Sequence, residues 1–103
     1  MEGQAFKAML MTKGRKSGRE HAVWLRAVKF QDKIYFSRRN PNADWLKNAV
    51  ANPKVKVGYD DKIQFGMATL VEDDELARKI SELKYVGEER AQEARIVLQV
   101  TLD

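Results

Sequence analysis

The chain has 103 residues, a net charge of +4 and a pI of about 9.4. This length suits one domain, 1–103, whose small core would leave a bulky ligand at the surface or between subunits. The absence of cysteine excludes disulfides and thiolate chemistry. Because the sequence has no apolar run of about 18 residues and its start lacks the pattern of a signal peptide, we expect a cytoplasmic protein with no membrane partner.

The first half of the chain predicts three strands and a helix. An apolar run at 6–12 predicts the first strand, and segments rich in β-branched and aromatic residues predict the next two at 21–30 and 34–37, paired as a hairpin. Asn42 is predicted to cap a helix that ends at Asn52, before a proline. The spacing places four apolar residues on one face of this helix: Trp45, Leu46, Ala49 and Val50.

The second half predicts another hairpin, a second helix and a last strand. Alternating residues predict strands at 55–59 and 63–71. Asp73 or Asp74 is predicted to cap the second helix. The apolar residues on one side of this helix are Leu76, Ile80 and Leu83. One or two further polar turns are predicted between 88 and 94, before a sixth strand at 96–102.

The order of elements is therefore β-β-β-α-β-β-α-β, which is mainly β with two helices. Because the strands follow one another through short turns, the sheet is expected to be antiparallel. Six short strands in so short a chain commonly close into a barrel, which removes exposed strand edges. We predict a small six-stranded barrel.

The side chains offer little catalytic chemistry of their own. The sequence has one histidine, His21, and its acidic residues fall in predicted turns and helices, so we expect no metal centre. A hydrolytic triad would need His21 with one of three serines, and the Gly-x-Ser-x-Gly turn that exposes such a nucleophile is absent. If the protein is an enzyme, a cofactor is expected to carry the reaction.

The segment 13–19, here called the basic loop, is the densest functional signal. It holds the four cations Lys13, Arg15, Lys16 and Arg19. Two glycines let the backbone turn and expose N–H groups, and Ser17 adds a hydroxyl. Backbone donors together with lysine and arginine form a natural phosphate cradle. The alternative is a solvated basic loop without a ligand, and the glycine spacing differs from that of a P-loop.

Three segments together carry a family resemblance. Residues 10–19 (LMTKGRKSGR) resemble the L-x-T-x-G-R-K-S/T-G segment of the deazaflavin-dependent nitroreductase and quinone-reductase family. Residues 44–55 (DWLKNAVANPKV) are similar to its W-Y-x-N-L-x-A-N-P-x-V, and residues 35–40 (YFSRRN) fall where it has A-S-K/N-G-G. The sequence departs from the family at Trp24, where proline is frequent, and at Leu46, where an aromatic residue is usual.

The resemblance implies an FMN-binding split β-barrel, in the superfamily of pyridoxamine-phosphate-oxidase-like proteins, that assembles as a homodimer. The implied ligand is a phosphorylated flavin-type coenzyme, either the deazaflavin F-420 or FMN. The cofactor-binding residues that it implies are Arg15, Lys16, Ser17 and Gly18 at the phosphate, His21 beside it, and Ser37 and Arg38 at the ring system. It leaves the catalytic residues unknown.

The implied function is a redox enzyme that moves hydride between this coenzyme and a small organic acceptor, and the residues select no particular acceptor. The alternatives are an FMN-binding pyridoxamine-phosphate-oxidase-like protein, a coenzyme carrier without catalysis, and a small RNA-binding barrel. The RNA alternative draws on the basic loop and on the aromatic residues Trp24, Tyr35 and Phe36. It is disfavoured because the cations cluster in one loop. Trp45 is interpreted as core, and Trp24 as either core or dimer interface.

Overall fold

The computed structural model describes residues 5–38, 42–88 and 96–103. Within them, the six strands and two helices follow the predicted order, so the predicted mainly β class is confirmed. The elements are β1 (Ala5–Lys13), β2 (Glu20–Phe30), β3 (Lys33–Arg38), α1 (Asp44–Ala51), β4 (Lys54–Tyr59), β5 (Lys62–Leu70), α2 (Asp74–Lys84) and β6 (Ile96–Leu102).

The strands close into a barrel in the order β1-β2-β3-β6-β5-β4, and every neighbouring pair is antiparallel. Two of the hairpins have two-residue turns, at Gln31–Asp32 and Asp60–Asp61, and all four residues have positive φ. Such turns match the right-handed twist of the strands that they join. The predicted antiparallel barrel is therefore confirmed.

The barrel interior is filled by the inward-facing side chains of the strands, and α1 packs against them. The fully buried members of this core include Ala8, Leu10, Ala27, Ile34, Phe36, Val57, Leu98 and Val100. Trp45 of α1 packs against Phe36, with ring centroids 6.3 Å apart in an edge arrangement. The interpretation of Trp45 as a core residue is confirmed. A smaller cluster, with Ile80 at its centre, lies under α2.

Helix α1 differs from the prediction at two positions. Ala43 occupies the N-cap position and no side chain caps the helix, so the prediction that Asn42 is the cap was wrong. Val50 is 52% exposed, whereas Asn48 is buried. Residues advance by about 100° per position around a helix, which places Val50 well outside the face centred on Trp45 and Ala49. Asn48 takes the place in the buried face that was assigned to Val50.

Helix α2 begins as predicted, and strand β5 shows an unexpected orientation. Asp73 caps α2 by accepting hydrogen bonds from the backbone N–H groups of Glu75 and Leu76, at 3.0 and 3.4 Å. In β5 the small residues Gly66 and Ala68 face inward. Its large apolar side chains face outward: Ile63, Phe65 and Met67. The polar turns predicted between 88 and 94 lie outside the described residues from 89 onward.

The barrel is split along strand β2. Its second part pairs with β1 on one side and with β3 on the other, and the pairing with β3 stops at Ala27, opposite Phe36. The first part, 20–26, pairs with β1 alone, while β3 continues beside β6 through Ser37 and Arg38. A gap therefore opens between the free edge of β2 and the end of β3, and α1 follows at this gap.

Candidate functional site

A cavity of about 600 Å³ lies in the gap beside β2. The basic loop forms one end of it, the β2 edge from His21 to Leu25 forms a wall, and Arg38 lies on the side of β3. The opposite wall is the start of α1, including Trp45 and Asn48. This volume is within the range of sites that bind small molecules.

The basic loop is folded tightly upon itself. The Gly14 N–H donates to the carbonyl of Arg19 at 2.7 Å, and the Gly18 N–H donates to the carbonyl of Gly14 at 3.0 Å. Gly18 has a φ of 72°, which side-chain-bearing residues rarely adopt. The hydroxyl of Ser17 accepts from the backbone N–H of Arg19 at 3.2 Å. The Gly18 N–H is therefore engaged inside the loop, and the role of this glycine is to make the turn.

Two backbone donors remain at the tip of the loop. Within the described part of the chain, the N–H groups of Lys16 and Ser17 have no acceptor, whereas that of Arg15 donates to Asn48. Lys16 adds an ammonium group to the cavity and Ser17 adds a hydroxyl. Adjacent N–H groups with a nearby cation form a concavity suited to an anion.

Gly14 allows Ser17 and His21 to approach each other over the backbone. A Cβ at position 14 would lie 2.6 Å from the Ser17 Oγ and 2.8 Å from the His21 Nε2, which is too close for either. The Ser17 Oγ and the His21 Nε2 are 3.5 Å apart. The structure thus places His21 beside the basic loop. This position is compatible with the implied role of His21 next to the coenzyme phosphate.

Arg15 lines the cavity, but its guanidinium contacts α1. Its Nη1 donates to the Asn48 Oδ1 at 2.7 Å, and its Nη2 lies 3.3 Å from the Asp44 Oδ1. The contact between Asn48 and Arg15 was not predicted from the sequence. The sequence does contain one indication of a buried polar contact, because Asn48 falls near the face of α1 that carries Trp45 and Ala49.

The two predicted ring contacts, Ser37 and Arg38, lie on opposite faces of β3. Arg38 lines the cavity. The Ser37 side chain points toward α2, where the Lys84 Nζ donates to its carbonyl at 3.1 Å and to its Oγ at 3.0 Å. Successive residues of a strand face opposite sides, so only one of the two side chains can reach the cavity. The described cavity lining includes neither Ser37 nor Gly18.

Of the three aromatic residues on which the RNA-binding alternative rests, one is exposed and two are buried. Trp24 is 56% exposed on the outer face of β2 and lines the cavity, which excludes the core alternative and leaves the dimer interface as a prediction. It also borders a second, smaller cavity beside Phe6. Tyr35 and Phe36 are buried, which leaves the RNA-binding alternative with one of its three aromatic side chains.

The described ranges show no grouping of metal-ligating side chains and no membrane-spanning helix. Residues 5–38, 42–88 and 96–103 contain no group of three or more histidine, aspartate or glutamate side chains that could hold a metal ion. Neither helix in these ranges is long and apolar enough to cross a membrane.

Comparison with known proteins gives one family match and many similar structures. The model of the F420H(2)-dependent quinone reductase family matches residues 1–101. A structure described as a domain-swapped dimer is 26% identical, with a TM-score of 0.72, over 91% of this chain and 78% of its own. No curated protein matches the chain.

Two further structures share the fold at lower identity. An F420-H2-dependent reductase (FDR-A) is 24% identical, with a TM-score of 0.72, over 91% of this chain and 92% of its own. A pyridoxamine 5'-phosphate oxidase candidate from Listeria innocua is 19% identical, with a TM-score of 0.73, over 94% and 83% of the two chains. Since the family model spans almost the whole sequence, the chain belongs to the F420H(2)-dependent quinone reductase family and is a deazaflavin-dependent oxidoreductase.

Proposed function

We propose that the cavity binds reduced coenzyme F-420 with its phosphate at the basic loop, and that hydride passes from it to a quinone-type acceptor. The observation that carries this proposal is the tip of the loop. The N–H groups of Lys16 and Ser17, the Lys16 ammonium and the Ser17 hydroxyl meet at one end of an open cavity of about 600 Å³.

The residues at the loop fit a phosphate group. A phosphate presents negatively charged acceptor oxygens, and the loop tip offers N–H, O–H and ammonium donors. Gly14 keeps the space above the backbone free for the Ser17 and His21 side chains. The carboxylate of Asp44 also lines the cavity. It contacts the guanidinium of Arg15, so the negative charge of Asp44 is offset and repels a phosphate at the loop less.

The remainder of the cavity fits a flat ring system. Along the free edge of β2, every second residue turns its N–H and C=O away from β1, toward the cavity. These groups can pair with the amide-like edge of a flavin-type ring. Val23, Trp24 and Leu25 supply apolar surface on the same wall. The bound coenzyme would supply the hydride, and this apolar wall favours an acceptor that is itself flat and weakly polar.

The role of the protein in this reaction is to position the reactants. His21, the single histidine of the sequence, lies at the phosphate end of the cavity, where its Nε2 is 3.5 Å from the Ser17 Oγ. Among the described lining residues, the β2 wall from Ala22 to Leu25 carries no acidic or basic side chain. Holding the coenzyme ring and the acceptor in contact can itself lower the barrier substantially.

We also propose that the protein is a homodimer. The cavity is open to solvent on one side, and the row Ile63, Phe65 and Met67 leaves a large apolar area exposed on β5. The neighbour described as a domain-swapped dimer supports association in a protein of similar fold. Light scattering at micromolar concentration should give about twice the 11.9 kDa chain mass, and a value near the chain mass would contradict this.

Titration of Lys16→Ala with the coenzyme tests the phosphate site. We expect affinity for F-420 to fall by about tenfold or more, since charged hydrogen bonds contribute on the order of 1.5–3 kcal/mol and exposure reduces this. The dephosphorylated deazaflavin should bind the wild type weakly and lose little more in the variant. Parallel titration with FMN separates the two coenzymes.

Lys62→Ala is a matched control, because Lys62 is an exposed lysine that does not line the cavity. It should leave both affinities unchanged. An equal loss for phosphorylated and dephosphorylated ligands in Lys16→Ala would mean that Lys16 acts elsewhere. The placement of the phosphate at the basic loop would then be wrong.

A further inference from the structure

Helix α1 carries a row of three polar residues, Asp44, Asn48 and Asn52, here called the polar stripe. Residues four positions apart lie above one another on one face of a helix. All three contact the basic loop. The Asp44 Oδ1 is 3.3 Å from the Arg15 Nη2, and the Asn52 Nδ2 donates to the carbonyl of Lys13 at 3.3 Å.

Asn48 makes the central contact of the stripe. Its Oδ1 accepts from the Arg15 backbone N–H at 3.2 Å and from the Arg15 Nη1 at 2.7 Å. One oxygen thus fixes both the main chain and the side chain of Arg15. Asn48 is only 5% exposed, so water competes little for these bonds.

The tip of the loop has few other supports. The bonds between Gly14, Gly18 and Arg19 tie the two ends of the loop together and leave residues 15–17 projecting into solvent. Within the described residues, the contacts that reach this tip from outside the loop come from α1 and from His21, at 3.5 Å. The direction of the free N–H groups at positions 16 and 17 depends on how residue 15 is held.

We propose that the polar stripe holds the basic loop in its phosphate-binding shape, with Asn48 as the principal positioning residue. Asn48 acts through Arg15: it fixes the peptide plane that precedes the two free N–H groups. The main role of Arg15 is then to anchor the loop on α1, and the direct charge contact to the phosphate belongs to Lys16. This inference rests on the proposed phosphate site.

Hydrogen exchange on the coenzyme-free protein tests the anchoring by itself. Asn48→Ala should speed exchange of the Arg15 amide by about tenfold or more, because the acceptor of its N–H is removed. Asn48→Asp should restore protection, since a carboxylate oxygen can accept both bonds from Arg15. Asn52→Ala, which removes one exposed bond to Lys13, should have a smaller effect.

Lys47→Ala is the matched control, because Lys47 is an exposed neighbour of Asn48 on the same helix. It should leave exchange in the loop unchanged. Unchanged exchange in Asn48→Ala as well would overturn the anchoring role. If Asn48→Ala does not fold, the comparison of Asn48→Asp with Asn52→Ala decides: protection kept in the first and reduced in the second supports the stripe, and any other pattern contradicts it.

Coenzyme titration separates this inference from the proposed function. Asn48→Ala should weaken binding of F-420 by about tenfold, change binding of the dephosphorylated deazaflavin by less than twofold, and be rescued by Asn48→Asp. If the wild type shows no preference for the phosphorylated ligand, the proposed phosphate site fails. If the wild type shows that preference and Asn48→Ala keeps it in full, the phosphate site stands and the positioning role of Asn48 is wrong.

Discussion

Strand β2 pairs with β1 along one edge in both of its parts, whereas its other edge is paired with β3 in one part and unpaired in the other. At Ala27 and Val28 the strand is paired on both edges, and both side chains are fully buried. At 20–26 the strand is paired on one edge and is largely exposed. The doubly paired part supports the barrel, and the singly paired part forms the cavity wall. Stability and the proposed ligand binding are therefore separated along one strand, and substitutions in the two parts should have different consequences.

The largest effect is expected in the doubly paired part. Phe36, which lies opposite Ala27, is fully buried, and Phe36→Ala should lower the free energy of unfolding by about 3–5 kcal/mol. The cause is the loss of buried apolar surface together with the cavity that remains. Chemical denaturation followed by tryptophan fluorescence measures this change.

Trp24→Ala is the control from the singly paired part. Because this side chain is mostly solvated, its removal should change stability by no more than about 0.5 kcal/mol. If Phe36→Ala leaves too little folded protein, Phe36→Leu should show a smaller loss in the same direction. Equal destabilisation by Trp24→Ala and Phe36→Ala would contradict the separation of the two parts.

Two glycines allow a sharper comparison with the same substitution. At Gly66 in the closed part of the barrel, a Cβ would meet the Val100 Cγ1 at 2.7 Å and the Thr101 backbone oxygen at 2.9 Å. Backbone cannot move aside easily, so Gly66→Ala should cost about 1–3 kcal/mol of stability. At Gly14 the atoms nearest to a Cβ would be the ends of the Ser17 and His21 side chains, which can rotate away.

Gly14→Ala should therefore leave the protein folded and instead weaken coenzyme binding, because the two displaced side chains belong to the proposed phosphate site. Thermal unfolding and coenzyme titration of both variants measure the two effects. The comparison fails if Gly14→Ala is as destabilised as Gly66→Ala while binding the coenzyme normally.

The smallest effect concerns pH. Burial raises the pKa of Tyr35 above its ordinary value of 10.0, and its hydroxyl donates to the Gln99 Oε1 at 3.1 Å. The neutral phenol is favoured in the folded state. Its stabilising contribution is therefore complete below pH 10 and is lost as the pH rises through the folded-state pKa.

Tyr35→Phe tests this contribution. The variant should lose about 1 kcal/mol at neutral pH, with the hydrogen bond. Between about pH 9 and 11, its unfolding free energy should fall less steeply than that of the wild type, as measured by denaturant titration at several pH values. Parallel curves for the two proteins would show that Tyr35 does not contribute to the alkaline loss of stability.

The order of elements could be predicted from the sequence because each strand and each turn carries a local signal. The apolar run in β1, the two-residue turn at Asp60–Asp61 and the cap at Asp73 depend on neighbouring residues alone. The outward orientation of Phe65 in β5 could not be predicted in this way. The alternation of side chains along a strand shows that Phe65 and Gly66 face opposite sides of the sheet. Which of them faces the barrel interior depends on the room beside Val100, which belongs to a distant part of the chain.

The sequence identifies candidate site residues where a motif is continuous, and it gives no signal for contacts between residues that meet across the fold. Lys16, Ser17 and His21 lie together at the cavity, as the loop motif indicates. Asn48 lies 33 positions from Arg15, and no local pattern signals their contact. The Ser37 side chain is excluded from the cavity by the pleat of β3, whose register depends on pairing with β6.

The position of the cavity along the chain has a consequence for biosynthesis. The lining residues that the structure describes all lie between Thr12 and Asn48, whereas barrel closure requires β3 to pair with β6, for example Ile34 with Val100. During translation the complete cavity lining leaves the ribosome well before the strand that closes the barrel. Hairpins form within microseconds, so β1, β2 and β3 can pair while the rest of the chain is still being synthesised. In the nascent chain, the strands that line the cavity can therefore be paired before β6 is available to complete the hydrophobic interior of the barrel.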